Sequence, residues 1–303
     1  MLGPILAVTL LTKSLGVVEH AYVDQLGYEV VERGEVGASL AKLWDAPKAA
    51  GRKTIVVAPK RSDQATARVL LRFIEAPDLP HATPHATTGW NVVELNVGKV
   101  DELAKRLEGS LFKRLAGPAP LPFNPAIRAM QLRDPDGALV YMTQVDDSPS
   151  TQHLPRTSEG VGSVFIMVMG VNDAADAVAF FHDTFDVELT KPFAFKSKLL
   201  SIPLGQPDDH EFNLSLARLP GKFTVEIDEL GKAAGPRVRT AGDLPSGIVS
   251  VSFAVDALPT KKFDYVAPPA HPGGAPYHGA RTVTVRAPGG AWFDLVETKK
   301  AVP

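Results

Sequence analysis

The segment Arg133–Val145 reads RDPDGALVYMTQV, and it decides the fold because its DPDG core joins two strand-like stretches. Proline presets φ for a turn and glycine accepts a positive φ, so a tight hairpin is predicted there. After the turn, every second residue points to the same face of a sheet. A weaker copy, RAPGGAWFDLVE, occupies Arg286–Glu297. The two copies are about 150 residues apart, which indicates a duplicated fold.

The composition is that of a globular protein without a nucleic-acid footprint. The chain has 303 residues, 45% hydrophobic and 22% charged, and a net charge of -2 with both signs mixed throughout. It contains no cysteine, which excludes disulfides, thiolate metal sites and cysteine nucleophiles. The apolar start MLGPILAVTLLTKS is too short to span a bilayer and lacks a basic n-region. We therefore expect a first β-strand there, a cytoplasmic protein, and neither nucleic acid nor membrane as a partner.

The chain in order predicts the strand–helix–strand–strand–strand arrangement, βαβββ, repeated. Helical spacing covers Leu15–Leu26 before Gly27, and a second helix covers Asp173–Phe185 with Asp173 as its N-cap. The stretches Ser39–Trp44 and Lys198–Ile202 are predicted as strands. Polar, patternless residues 148–160 form the predicted linker between two domains, residues 1–147 and residues 161–303.

A strand, a helix ending in the DQLGY segment Asp24–Tyr28, a meander and a closing RDPDG strand together resemble the vicinal oxygen chelate superfamily. That superfamily includes glyoxalases, bleomycin- and fosfomycin-resistance proteins and extradiol dioxygenases. The resemblance covers nearly the whole chain. It implies an α+β fold of four βαβββ modules, arranged as two tandem glyoxalase-like domains whose curled mixed sheets surround clefts.

The resemblance also places the superfamily's metal ligands at inward-facing strand positions. A divalent ion needs several nitrogen or oxygen donors. The positions in this chain are Ala7, Arg72, Val92 and Tyr141 in the first domain, and Ile166, Glu226, Ser250 and Asp294 in the second. Because most of these side chains are poor ligands, we expect no metal and no other cofactor.

Residues in place of the metal ligands are the candidates for chemistry. On the strand around Trp90–Val97, Glu94 shares a face with Val92, and a carboxyl group in an apolar cleft has a raised pKa suited to proton transfer. Arg72 is predicted to pair with Glu94 or to bind a substrate oxygen. Tyr141 is predicted to donate a hydrogen bond to a developing oxyanion. The alternative is a structural Glu94–Arg72 ion pair with Tyr141 in the core.

Further cleft residues are predicted to bind a hydrophobic or aromatic small molecule. They are Val92, Asn96, Trp90 and Met130 in the first domain, with an apolar lining that includes Leu11 and Phe73, and Glu226, Ser250 and Asp294 in the second. The alternative for the second set is that it belongs to a degenerate domain, which only supports the first domain. His81 and His85 lie in a loop that is predicted to be exposed to solvent, with a position at the mouth of the cleft as the alternative.

Three classes of function stay open at this stage. The first is a metal-independent lyase or isomerase that abstracts a proton in the cleft. The second is a protein that sequesters a ligand without chemistry, as the bleomycin-resistance proteins do. The third is a metal-dependent dioxygenase or glyoxalase, which would need histidine ligands that the strands Val164–Gly170 and Gly247–Val255 lack. Both a monomer and a homodimer fit the duplicated fold.

Overall fold

The computed structural model describes residues 2–60, 68–80, 83–158, 160–259 and 264–298. The predicted α+β class is confirmed. The strands are β1 (Leu2–Thr12), β2 (Tyr28–Glu35), β3 (Lys53–Pro59), β4 (Leu70–Glu75), β5 (Gly89–Val97), β6 (Lys113–Leu121), β7 (Asn124–Arg133), β8 (Leu139–Val145), β9 (Val161–Val171), β10 (Phe193–Lys196), β11 (Glu211–Leu219), β12 (Phe223–Glu229), β13 (Ile248–Val255), β14 (Thr282–Arg286) and β15 (Trp292–Glu297). The helices are α1 (Leu15–Glu19), α2 (Ala38–Leu43), α3 (Val100–Arg106), α4 (Ala174–Phe185) and α5 (Lys198–Ser201).

The strands form two mixed sheets. The seven-stranded sheet has the order β14-β15-β13-β1-β4-β3-β2 and joins the two ends of the chain, so we call it the terminal sheet. The eight-stranded sheet has the order β10-β11-β12-β9-β5-β8-β7-β6, and we call it the central sheet. Each sheet combines two modules, and neither is confined to one of the predicted domains. The first module pairs with the fourth, and the second with the third.

The pairing follows one rule in both sheets. The first and last strands of a module lie side by side in parallel, as β5 and β8 do, and β9 and β12. The first strands of two partner modules meet antiparallel, β5 with β9 and β1 with β13. The result is a pseudo-symmetric sheet in which the equivalent positions of two modules face one cleft.

The largest apolar core lies between the two sheets and includes the inner faces of α1, α3 and α4. Trp90 of β5 illustrates the contact, because its ring centroid lies 4.8 Å from that of Phe293 of β15. Its indole Nε1 also donates a hydrogen bond to the carbonyl oxygen of Trp292 at 2.8 Å. Burying such side chains stabilises the fold by roughly 25 cal/mol for each square ångström of apolar surface. The faces of the sheets that point away from this core carry the two clefts.

The predicted helices and turns are largely as expected. The Leu15–Leu26 prediction corresponds to α1 followed by a π-helical turn, and Gly27 ends it with φ +84°. Asp173 caps α4, accepting a hydrogen bond from the Ala175 amide at 2.8 Å. In the DPDG hairpin, Gly137 has φ +91°, and the Asp134 carboxylate accepts hydrogen bonds from the amides of residues 136 and 138.

Two predicted strands are wrong. Ser39–Trp44 lies in α2 and at its end, and Lys198–Ile202 lies in α5 and at its end. Both stretches are apolar but contain almost no β-branched residues, so their local preference is for a helix rather than a strand. In α2, the buried side chains of Leu40, Leu43 and Trp44 follow helical spacing and cover the cleft face of the terminal sheet.

Candidate functional site

The cleft of the terminal sheet is filled by the chain itself. At its centre the buried Asp294 carboxylate accepts hydrogen bonds from five side chains. The donors and distances are Thr284 Oγ1 at 2.5 Å, Ser250 Oγ at 2.7 Å, Tyr277 Oη at 2.8 Å, Trp44 Nε1 at 3.2 Å and Ser252 Oγ at 3.5 Å. Burial raises the pKa of Asp294, and the four shorter hydrogen bonds oppose that rise. Because each acceptor position is used internally, this cluster has the character of a structural hub.

Arg72 belongs to this same filled cleft. It pairs in register with Thr9 of β1, donates a hydrogen bond to the Ala275 carbonyl oxygen, and lies over the Tyr277 ring at 5.3 Å from the centroid. The predicted pairing with Glu94 is therefore wrong, because the fold places β4 and β5 in different sheets. Ser250 and Asp294 lie with Arg72 because β13, β15 and β4 belong to the terminal sheet. Glu226 is separated from them because β12 belongs to the central sheet.

Glu94 and Tyr141 lie together in the cleft of the central sheet, which we call the central cleft. The two residues are register partners on the parallel strands β5 and β8, so their side chains share a face. Thr143, two residues further along β8, donates a hydrogen bond from Oγ1 to Glu94 Oε1 at 2.5 Å. Burial raises the pKa of Glu94 to about 7, although the bond from Thr143 opposes the shift.

Glu226 and Asp228 of β12 add two carboxyl groups to the central cleft. Burial is the largest cause of the raised pKa of Glu226, followed by the negative charges of Asp228 and Glu94. Burial also raises the pKa of Asp228 to about 7, with a hydrogen bond from Glu226 in opposition. The two carboxyl groups therefore titrate as a coupled pair, and burial together with their mutual repulsion favours a shared proton.

His85 completes the central cleft, which was the less favoured of the two predictions for its loop. The predicted exposure of this residue is wrong, because it is 1% exposed and its Nε2 lies 3.3 Å from Tyr141 Oη. Its φ of +64° is held by a hydrogen bond from its amide to Asn91 Oδ1 at 2.6 Å. Burial lowers the pKa of His85 to about 4, so the ring is neutral at physiological pH. His81 lies outside the described residues.

The electrostatics of the central cleft are unfavourable for stability. None of the salt bridges between described residues involves Glu94, Glu226 or Asp228. Asp228 Oδ1 and His85 Nδ1 also have no hydrogen-bond partner within the part of the chain that the structure describes. Burying a carboxylate without a cationic partner costs several kcal/mol, so such clusters mark candidate sites of chemistry. The charges of the three acids also raise the pKa of Tyr141, after burial itself, which keeps its hydroxyl protonated.

The remaining predicted ligand-binding residues divide between the two faces of the central sheet. Val92 lies in the apolar wall of the central cleft with Ile166 and Val168. Trp90 and Met130 were placed in the cleft wrongly, since both lie in the core between the sheets. A register shift between Trp90 and Val92 turns the tryptophan to the opposite face. The side chain of Met130 points away from the cleft because its register partner is Met142, the neighbour of Tyr141.

Asn96 lies on the cleft face and fixes the position of the neighbouring linker. Its side-chain amide donates hydrogen bonds to the carbonyl oxygens of Pro155 at 3.0 Å and Thr143 at 3.4 Å. The Pro155 contact holds the predicted linker against the sheet, and Leu154 of that segment packs on the apolar wall of the cleft. The linker therefore closes one end of the central cleft.

The residues present do not fit a resident divalent metal ion. The four ligand positions regroup across the modules, so the central cleft offers Val92, Tyr141, Ile166 and Glu226, and the terminal cleft offers Ala7, Arg72, Ser250 and Asp294. Each set holds a single carboxylate, and the second includes a cation. Across the described ranges, no group of three or more histidine, aspartate or glutamate side chains is arranged to hold a metal.

The sequence did not identify His85 or Asp228 as site residues, for different reasons. His85 follows a proline in a loop, and no periodicity links it to Tyr141. Asp228 does alternate with Glu226 along β12, and that period of two was the available signal. Neither alternation nor composition predicts that modules two and three share a cleft.

Solved structures with the same architecture support the assignment of the fold. Glyoxalase I from Zea mays matches with a TM-score of 0.62 and 12% identity, over 97% of this chain and 92% of that one. A putative dioxygenase from Bacillus subtilis matches with a TM-score of 0.61 and 9% identity, over 97% of this chain and 85% of that one. No protein-family model and no curated protein matches the sequence. No helix in the described part of the chain is long and apolar enough to cross a membrane.

Proposed function

We propose that this chain, which has the two-domain fold of glyoxalase I and of a putative dioxygenase, is a metal-independent enzyme that transfers protons in the central cleft. The supporting observation is that Glu94 and Tyr141 lie side by side on one face of the central sheet, in a cleft whose carboxyl groups form no salt bridge with any described residue. A lyase or isomerase acting on a small hydrophobic carbonyl compound fits this arrangement. A cytoplasmic location, and a monomer or homodimer, stay predictions.

Glu94 is the proposed general base. A carboxylate with a pKa of about 7 is ionised in a substantial fraction of molecules at neutral pH and is basic enough to accept a proton from a carbon next to a carbonyl group. The C–H bond breaks, Glu94 takes the proton, and the electron pair moves to the carbonyl oxygen. Returning the proton to another carbon or face gives an isomerase, and expelling a leaving group gives a lyase.

Tyr141 is the proposed donor to the enolate oxygen. Its raised pKa keeps the hydroxyl protonated, so it can donate to the developing negative charge. His85 is neutral, and the tautomer with hydrogen on Nε2 donates to Tyr141 Oη across the 3.3 Å contact. In that arrangement the tyrosine proton is free for the substrate. Glu226 on the same cleft face is the proposed acid that returns a proton to the product, since burial and the neighbouring charges raise its pKa.

The test is hydrogen–deuterium exchange at carbon, because it reports proton abstraction whatever the net reaction is. Candidate carbonyl compounds such as 2-hydroxyacetophenone and phenylacetaldehyde are incubated with the protein in D2O and followed by proton NMR. The wild-type protein is expected to speed exchange at the α-carbon, and Glu94→Gln to reduce the rate at least about 100-fold. Equal rates with both proteins would contradict the proposal.

A binding protein without chemistry is the second candidate. The observation that favours it is the apolar wall of the central cleft, with Val92, Leu139 and Val168 each at most 2% exposed. Tight binding of an aromatic ligand that is recovered unchanged, without exchange of its α-hydrogens, would favour this candidate over the enzyme.

A further inference from the structure

Two exposed phenylalanines join the opposite edges of the central sheet. Phe123 lies in the turn between β6 and β7, and Phe193 is the first residue of β10. β6 and β10 are the outermost strands of the eight, yet the two rings form a T-shaped contact with centroids 5.9 Å apart. The sheet therefore curls until its edges meet at these two side chains.

The aromatic pair Phe123–Phe193 lies on the side of the sheet that carries the central cleft. Phe193 pairs with Leu214, and Leu214 pairs with Asp228, so register places Phe193 on the same face as the buried acids. The opposite face is packed against the core between the sheets. Leu154 packs on the apolar wall at one end of the cleft, and the aromatic pair lies where the curled edges meet on the same face.

The exposure of the pair is unusual for a structural contact. Phe123 is 64% exposed and Phe193 is 36% exposed, although both sit on thin edge elements with few buried neighbours. The two rings in contact form one contiguous apolar patch, and exposed apolar patches are candidate surfaces for a ligand. A T-shaped phenyl contact is also weak enough for an incoming ring to replace it.

We propose that Phe123 and Phe193 are the specificity-determining residues at the entrance of the central cleft, and that they select neutral ligands with a flat aromatic ring. The ring of the ligand replaces the contact between the two phenyl rings, and its remainder enters between the apolar walls. An anionic ligand is disfavoured because Glu94, Glu226 and Asp228 line the interior. This inference rests on the proposed site but not on the proton transfer.

The test is fluorescence titration with N-phenyl-1-naphthylamine, a neutral aromatic probe. Phe123→Ala and Phe193→Ala are each expected to weaken binding about tenfold, the size of one aromatic pair. Phe123→Leu keeps the apolar surface without the ring and is expected to weaken binding by less. The matched control is Ile202→Ala at the end of α5, where the side chain is 71% exposed and outside the pair.

A second variant locates the probe. Ile166 lies in the wall of the central cleft, and Ile166→Phe adds volume there, so it is expected to weaken probe binding while the protein still melts cooperatively. Unchanged binding in the phenylalanine variants, an equal loss in Ile202→Ala, unchanged binding in Ile166→Phe, or no saturable binding to the wild-type protein would each overturn the inference. Binding that depends on the pair, without any hydrogen exchange, would remove only the proposed proton transfer.

Discussion

Glu94 and Tyr141 are direct register partners on two parallel strands, and each presents its functional group to the same buried cleft. The pairing β5–β8 comes from within one module, but the acids that surround it, Glu226 and Asp228, come from the next. The proposed chemistry therefore depends on how the second and third modules join, and not on either module alone.

The stability of the protein should depend on the protonation of Glu94. Its pKa rises from 4.5 to about 7 on folding, so between these values the folded state binds more protons than the unfolded state. Ionised Glu94 therefore destabilises the fold as pH rises through this window, by up to about 3 kcal/mol. Glu94→Gln removes the effect, so the stability of the variant relative to wild type should increase between pH 5 and pH 8.

Urea unfolding of both proteins across that range measures the effect. The comparison cancels the contribution of His85, which has the opposite sense, and it includes the lower pKa of Glu226 that loss of the Glu94 charge would cause. The lowered pKa of His85 makes the folded state less stable as pH falls from 6.5 towards 4, in both proteins alike. A constant difference between wild type and variant would show that Glu94 titrates in its ordinary range.

Substitutions of His85 should separate strain from function. The residue has φ +64°, a conformation that costs a side chain about 1 kcal/mol and glycine almost nothing. His85→Gly and His85→Ala both remove the contact with Tyr141, so both should slow α-hydrogen exchange about tenfold or more. His85→Gly should be more stable than His85→Ala by about 1 kcal/mol. Exchange at the wild-type rate in both variants would mean that His85 has no part in the reaction.

The terminal cleft should matter for stability alone. Asp294→Ala leaves the donors on Trp44, Ser250, Tyr277 and Thr284 without their acceptor in a buried site, which should cost about 3 kcal/mol or more. The variant that remains folded should exchange α-hydrogens at the wild-type rate. Denaturant unfolding and the exchange assay test the two parts separately. A folded variant with little exchange would point instead to chemistry in the terminal cleft.

The turns and local elements were predictable because nearby residues determine them. The DPDG turn set the phase of β8, and so Tyr141 and Thr143 were correctly predicted to share a face. The partners of that face depend on contacts between distant segments, and no local pattern encodes them. The shift at Trp90 and the left-handed conformation of His85 are likewise held by tertiary contacts, as the bond from the His85 amide to Asn91 shows.

Because both sheets combine strands from the two halves of the chain, the fold predicts whether each half folds alone. The fragments 1–147 and 161–303 each contain half of both sheets, and each would expose the edges of β1 and β5, or of β9 and β13. Neither is therefore expected to fold cooperatively alone, while a mixture of the two should recover native structure. Circular dichroism and dispersion in the amide NMR spectrum provide the measurement, with protein cleaved in the linker after folding as the control. Cooperative folding of isolated 1–147 would contradict the prediction.

The central claim is that Glu94 acts as a base with a pKa near neutrality in the central cleft, and its most direct test is the pH dependence of α-hydrogen exchange. With 2-hydroxyacetophenone in D2O, the wild-type rate should rise with pH through an inflection near 7 and then level off. Glu94→Gln should lack both the rate and the inflection, while Asp294→Asn should keep them. The same inflection in Glu94→Gln as in wild type would contradict the assignment of the base.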